Sequence, residues 1–161
     1  MKIPTVPESL KNINIRPLFV MHLAMKPMVV IGDTPGGFRR VGVVMGGSFE
    51  GDRLSGQVLD GGNDWQLLRR DGSTLLDVRL NLKTNDEELL TVSYRGIRHG
   101  PADVLESIDQ GMEVDPSRYY FRINPLFETA SKKYNWMNRV LAIGTGHRTS
   151  NGPIYSIFEI L

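Results

Sequence analysis

The sequence predicts an all-β domain, mainly antiparallel, with one short helix. Three observations carry this expectation. The dominant hydrophobic rhythm is period two rather than 3.6, as in Leu90-Thr91-Val92-Ser93-Tyr94-Arg95 and Ile154-Tyr155-Ser156-Ile157-Phe158. Such runs recur about nine times with short turn-rich gaps between most of them, which favours antiparallel neighbours. The stretch from Gly46 to Trp65 places six glycines in twenty residues between short apolar runs, the punctuation of tight β connections.

Taken in order, residues 1–16 carry Pro4 and Pro7 with little periodicity and are expected to form an arm on the surface or on a neighbouring subunit, leaving 17–161 as one domain. At 161 residues and 40% hydrophobic content the chain can bury one sizeable core. Strands are expected near 18–25, 39–46, 53–59, 65–70, 75–83, 89–96, 118–123, 138–145 and 153–160. So many strands in one small domain must close or sandwich to avoid exposed edges. The exception is Pro101 to Gly111, with apolar Val104, Leu105 and Ile108, which predicts a short helix placed as a plug or lid.

Asp71-Gly72 between two alternating runs signals a two-residue type I′ turn. That register sets Asp64 opposite Arg79 and Trp65 opposite Val78, and puts Asp64 and Trp65 on opposite faces. A three-residue loop would change it. The Asp64–Arg79 face is either a solvated surface pair or the lining of a cavity.

Composition narrows the function classes. Lys plus Arg number 19 against 18 Asp plus Glu, too balanced to recruit nucleic acid or an anionic membrane by charge alone. Zero cysteines exclude disulfides and thiolate chemistry and suit a reducing compartment, so a soluble cytoplasmic protein is expected. The apolar window from Leu18 to Ile31 is broken by His22, Lys26 and Pro27. His22, His99 and His147 lack metal-ligand spacing, so no metal or other cofactor is expected. Gly144-Thr145-Gly146 lacks the third glycine and the following chain of a dinucleotide site, and no serine stands in a nucleophile elbow.

What remains is a set of groups for non-covalent proton transfer. Asp64 and Glu128 are candidate acid-base groups, Tyr119 and Tyr120 hydroxyl donors, and Arg79, Arg98 and Arg122 candidate stabilisers of an oxyanion or carboxylate. The aromatics of Tyr119-Tyr120-Phe121-Arg122 and Trp136 read more readily as core than as site.

Gly46-Gly47-Ser48-Phe49-Glu50-Gly51, Leu59-Asp60-Gly61-Gly62-Asn63-Asp64-Trp65-Gln66, Tyr119-Tyr120-Phe121-Arg122, Phe127-Glu128-Thr129 and Lys133-Tyr134-Asn135-Trp136-Met137-Asn138 together resemble the DUF3237 family, also labelled UPF0311. The resemblance runs from about Leu18 to the C-terminus. It implies a closed antiparallel β-barrel of the allene oxide cyclase and dirigent type around a central apolar cavity, and some fungal relatives are implicated in cofactor-free ring closure. It also implies that Asp64 and Arg79 face the lumen. Asn63 stands where alanine is usual, and Asn85-Asp86-Glu87-Glu88 where relatives tend to have Asp-Gly.

The expected function is therefore a cofactor-independent lyase, isomerase or cyclase acting on a small aromatic or apolar substrate. Asp64 would move a proton, Arg79 or Arg122 would stabilise negative charge and Tyr120 would hydrogen-bond the substrate, with Trp65, Arg98, Glu128 and Trp136 binding it. The alternative is a non-catalytic carrier barrel. Sheet edges and flat faces that readily pair point to a homo-oligomer, dimer or higher.

Overall fold

Residues 4–161 are described by a computed structural model. Eleven strands form one sheet: β1 (Ile15–Met25), β2 (Val29–Thr34), β3 (Gly37–Glu50), β4 (Ser55–Val58), β5 (Gly62–Leu68), β6 (Thr74–Thr84), β7 (Leu89–His99), β8 (Tyr120–Ile123), β9 (Leu126–Glu128), β10 (Ala142–Thr149) and β11 (Gly152–Ile160). One α-helix, α1 (Ala102–Asp109), interrupts them between β7 and β8. Eight strands close a ring in the order β1-β3-β5-β6-β7-β8-β10-β11 and back to β1, with every pairing antiparallel. β4 spans the ends of β3 and β6, and β2 and β9 lie along β3 and β7.

The expected runs are all present, and two strands were not foreseen. β2 follows Pro27, where the broken apolar window hides it, and β9 has three residues, too few to show a period. The run expected at 138–145 begins only at Ala142, because Asn135–Arg139 forms a 3-10 turn. β1 begins at Ile15, two residues before the expected domain boundary.

Alternation fills the barrel. β6 turns Leu76, Val78, Leu80 and Leu82 inward, and β7 turns in Leu90, Val92 and Tyr94. Edge-to-face contacts of the Tyr155 ring with Tyr94 and Phe121, centroids 5.6 and 5.4 Å away, knit three strands together. α1 buries Val104 and Ile108, four residues apart on one face, over one mouth of the barrel, where the sequence placed a plug or lid. Neither α1 nor any other described helix is long and apolar enough to cross a membrane.

The β5–β6 hairpin corrects the expected register. Arg69 N–H donates to Ser73 O at 2.8 Å, so the loop holds three residues, Arg70 to Gly72, with Gly72 at φ 83°. Asp71 selects this loop by accepting hydrogen bonds from the Ser73 amide and hydroxyl, 3.0 and 2.6 Å. The one-residue shift pairs Asp64 with Val78 and Asn63 with Arg79. Asp64 and Arg79 are thus on opposite faces of the wall and are not cross-strand partners.

Gly47 of β3 has φ 147°, and a Cβ there would lie 2.0 Å from the His22 carbonyl oxygen, whereas one on Gly72 would meet nothing. Gly72→Ala is expected to lower unfolding free energy by about 1 kcal/mol, and Gly47→Ala by more than about 3 kcal/mol, in denaturant titrations.

Candidate functional site

The inward alternation of β5 places Asp64 and Gln66 side by side at the mouth beneath α1. Gln66 Nε2 donates to Asp64 Oδ2 at 2.6 Å, and Arg40 Nε of β3 donates to Gln66 Oε1 at 2.7 Å. Arg40 Nη2 in turn donates to Asp109 Oδ1 at the end of α1, 3.2 Å, and Arg98 Nη2 stands 3.7 Å from the same oxygen. These groups surround a cavity of about 140 Å³ completed by Leu76, Phe121, Arg148 and Tyr155. It is smaller and more polar than a general apolar lumen, because packed side chains occupy the rest of the barrel.

Asp64 is 7% exposed. Burial pushes its carboxyl up to about 6, with hydrogen bonds from Gln66 and the Asp77 backbone N–H, and then the Arg98 and Arg40 charges, opposing incompletely. Such a carboxyl can both hold and release a proton near neutral pH. Burial also pushes the Tyr94 and Tyr155 hydroxyls upward, so both remain donors. Burial, and then Arg40, press the Arg98 guanidinium downward, but arginine keeps its proton in proteins and instead demands an anion. Asp64 Oδ1, Tyr94 Oη and Arg98 Nε are the buried side-chain polar atoms that lack a hydrogen-bond partner among the described residues. Left unpaired, each costs about 1–3 kcal/mol, which marks a place for a ligand or water.

Of the residues singled out in the sequence, Asp64 and Arg98 meet here. Arg79, Trp65 and Glu128 share an outer groove of about 680 Å³ with Asp77, Asn81 and Arg95, on the far side of the β5–β6–β7 wall. Tyr120 and Arg122 also face outward from β8, with Tyr120 stacked on His99 at 4.9 Å and the Arg122 guanidinium 4.8 Å from the Tyr120 ring. Trp136 is half-buried under Arg53, 4.1 Å away, near the opposite end. Sequence reasoning missed Arg40, Gln66, Asp109 and Tyr155. Gln66 was within reach, since it shares a face with Asp64 two residues away; Arg40 needed the β3–β5 register, which pairs it with Gln66. Among the described residues no cluster of three His, Cys, Asp or Glu could hold a metal ion.

Fold and site define a small closed antiparallel barrel with a charged, lidded mouth. The chain belongs to the DUF3237 family, described as proteins of unknown function, whose model matches residues 13–160. It is 33% identical to a UPF0311 protein of Rhodopseudomonas palustris over 89% of this chain and 94% of that one. A UPF0311 protein of Clostridium acetobutylicum is 31% identical over 94% and 97%. A β-barrel-like protein from Acinetobacter baumannii superimposes with TM-score 0.83 at 35% identity, covering 96% of this chain and all of that one. An enzyme from Penicillium herquei, 21% identical, shares the fold with TM-score 0.73 over 99% and 100% of the two chains.

Because the folded Asp64 carboxyl binds its proton more tightly than the unfolded one, its contribution to stability is full below pH about 4 and is lost as pH rises through about 6. Asp64→Asn is therefore expected to gain about 3 kcal/mol over wild type between pH 4 and pH 8, read from denaturant unfolding at each pH. A pH-independent difference would contradict the burial assigned to this carboxyl.

Proposed function

We propose that the protein is a cofactor-independent lyase or isomerase, of the kind that closes or rearranges rings, acting on a small substrate with an aromatic or apolar body at the barrel mouth. The observation that carries this reading is the Asp64 carboxyl, buried, poised near 6, with one oxygen unpartnered beside an arginine pressed for an anion. Asp64 Oδ1 takes a proton from a carbon next to a carbonyl group, and the Arg98 guanidinium stabilises the oxyanion that forms. Tyr155, which lines the same cavity, can donate to that oxygen. Protonated Asp64 then returns the proton to a second position or to a leaving group. The stabilising role that the sequence suggested for Arg79 or Arg122 passes to Arg98, since the first two lie outside the barrel wall. The Penicillium herquei neighbour, described as an enzyme, supports this at the level of fold.

A positioned acid-base group contributes about 10²–10⁴-fold, which suits reactions already feasible in solution. A second reading, carriage without chemistry, is favoured by the enclosure of the small cavity under α1. Native mass spectrometry of purified protein, repeated after incubation with the recovered ligand, separates the two: carriage returns the ligand unchanged. On the catalytic reading, kcat/KM for the recovered substrate rises with pH through about 6 and levels off, and Asp64→Asn loses at least about 100-fold. Turnover by Asp64→Asn at the wild-type rate would remove Asp64 from the chemistry.

A further inference from the structure

Charge at the mouth is unbalanced in one direction. Arg40, Arg98 and Arg148 line it against two acids, Asp64 and Asp109, and Asp64 gives up its charge over part of the physiological range. Arg98 is 5% exposed, its Nε is unpartnered, and the acid nearest its Nη2, at 3.7 Å, lies beyond hydrogen-bond distance. Burying a guanidinium without an anion is costly. Among the described residues the one carboxylate that reaches both Arg40 and Arg98 is Asp109, on a helix anchored by two buried side chains, Val104 and Ile108, and itself 45% exposed.

Size points the same way. The 140 Å³ cavity is close to the ~150 Å³ of an apolar cavity known to take up benzene, and Leu76, Ile108 and Phe121 supply apolar walls. A ring fits in that space. The Asp109 carboxylate stands in the lining of the same space, on Arg40.

We propose that the mouth binds an aromatic monocarboxylate, its ring in the cavity and its carboxylate on Arg40 and Arg98, and that Asp109 of α1 holds the carboxylate position until the ligand displaces it. The proposal rests on the reading of the mouth as a ligand site and names the class of ligand. Planar, bidentate recognition of a carboxylate is what guanidinium groups do best. Displacement of Asp109 would swing the end of α1 outward and open the mouth, so ligand entry and lid opening would be one event.

The test is calorimetric titration of wild type, Asp109→Ala and Arg40→Gln with benzoate and with its neutral isostere benzamide, each variant first shown to be folded by thermal melting. Asp109→Ala is expected to bind benzoate about tenfold or more tighter than wild type while benzamide is unaffected, since a competing charged hydrogen bond to Arg40 is removed. Arg40→Gln should erase the preference for benzoate. Failure of Asp109→Ala to bind millimolar benzoate, or binding no tighter than benzamide, overturns the proposal. The benzoate preference is read in wild type and Asp109→Ala, whose Asp64 is intact, and so is independent of turnover. A benzoate preference in those two proteins without turnover of any recovered ligand fells only the catalytic reading, and turnover without the preference fells the ligand class alone.

Discussion

Everything at the mouth depends on the pleat of a closed ladder. In an open sheet a strand can slip or twist to re-aim a side chain, but here each of eight strands is hydrogen-bonded on both sides, so its facing is fixed residue by residue. The three-residue loop from Arg70 to Gly72 is therefore decisive. One residue fewer would pair Asp64 with Arg79 on one face; the loop observed sends Asp64 toward the lumen opposite Val78 and Arg79 toward solvent beside Asn63. The neighbouring β3 then matches it, with Gly42 opposite Asp64 and Arg40 opposite Gln66.

The strands were legible because period two is a local property, and α1 because Pro101, Val104 and Ile108 carry a helix signature within a few residues. The type of the β5–β6 turn was not. Asp-Gly suits both two- and three-residue loops, and the choice is made by Asp71 reaching forward to Ser73, a side-chain contact invisible in a pattern of apolar and polar letters. Asp64 stood out through its glycine-flanked setting and Arg98 as one arginine among several. Their convergence follows from strands two ring positions apart, β5 and β7 on either side of β6, whose relation only the strand pairings define. Trp65 and Asp64 are adjacent in sequence and for that reason look outward and inward respectively, as alternation demands.

The hydrogen-bond chain from Asp64 through Gln66 and Arg40 to Asp109 ties the buried acid to the helix over the mouth. Any change in the charge of Asp64 alters what Gln66 and Arg40 must donate to, and any movement of α1 frees Arg40. The buried acid and the helix thus share hydrogen-bond partners directly, without a distant pathway between them.

The opposite end of the barrel shows that the missing partners at the mouth are not a general failure of packing. Glu159 is also buried, six residues beyond Pro153 on the same strand, and burial by itself would raise its carboxyl. Hydrogen bonds from Arg16 and Arg53 outweigh that effect and hold it below the usual carboxylate range. Arg53 is in turn covered by Trp136. One interior acid has two arginines of its own; the other has a glutamine, arginines that face Asp109, and one oxygen without a partner. The difference lies in the donors supplied: Glu159 accepts from two guanidinium groups and Asp64 from an amide, so only Asp64 keeps a raised carboxyl.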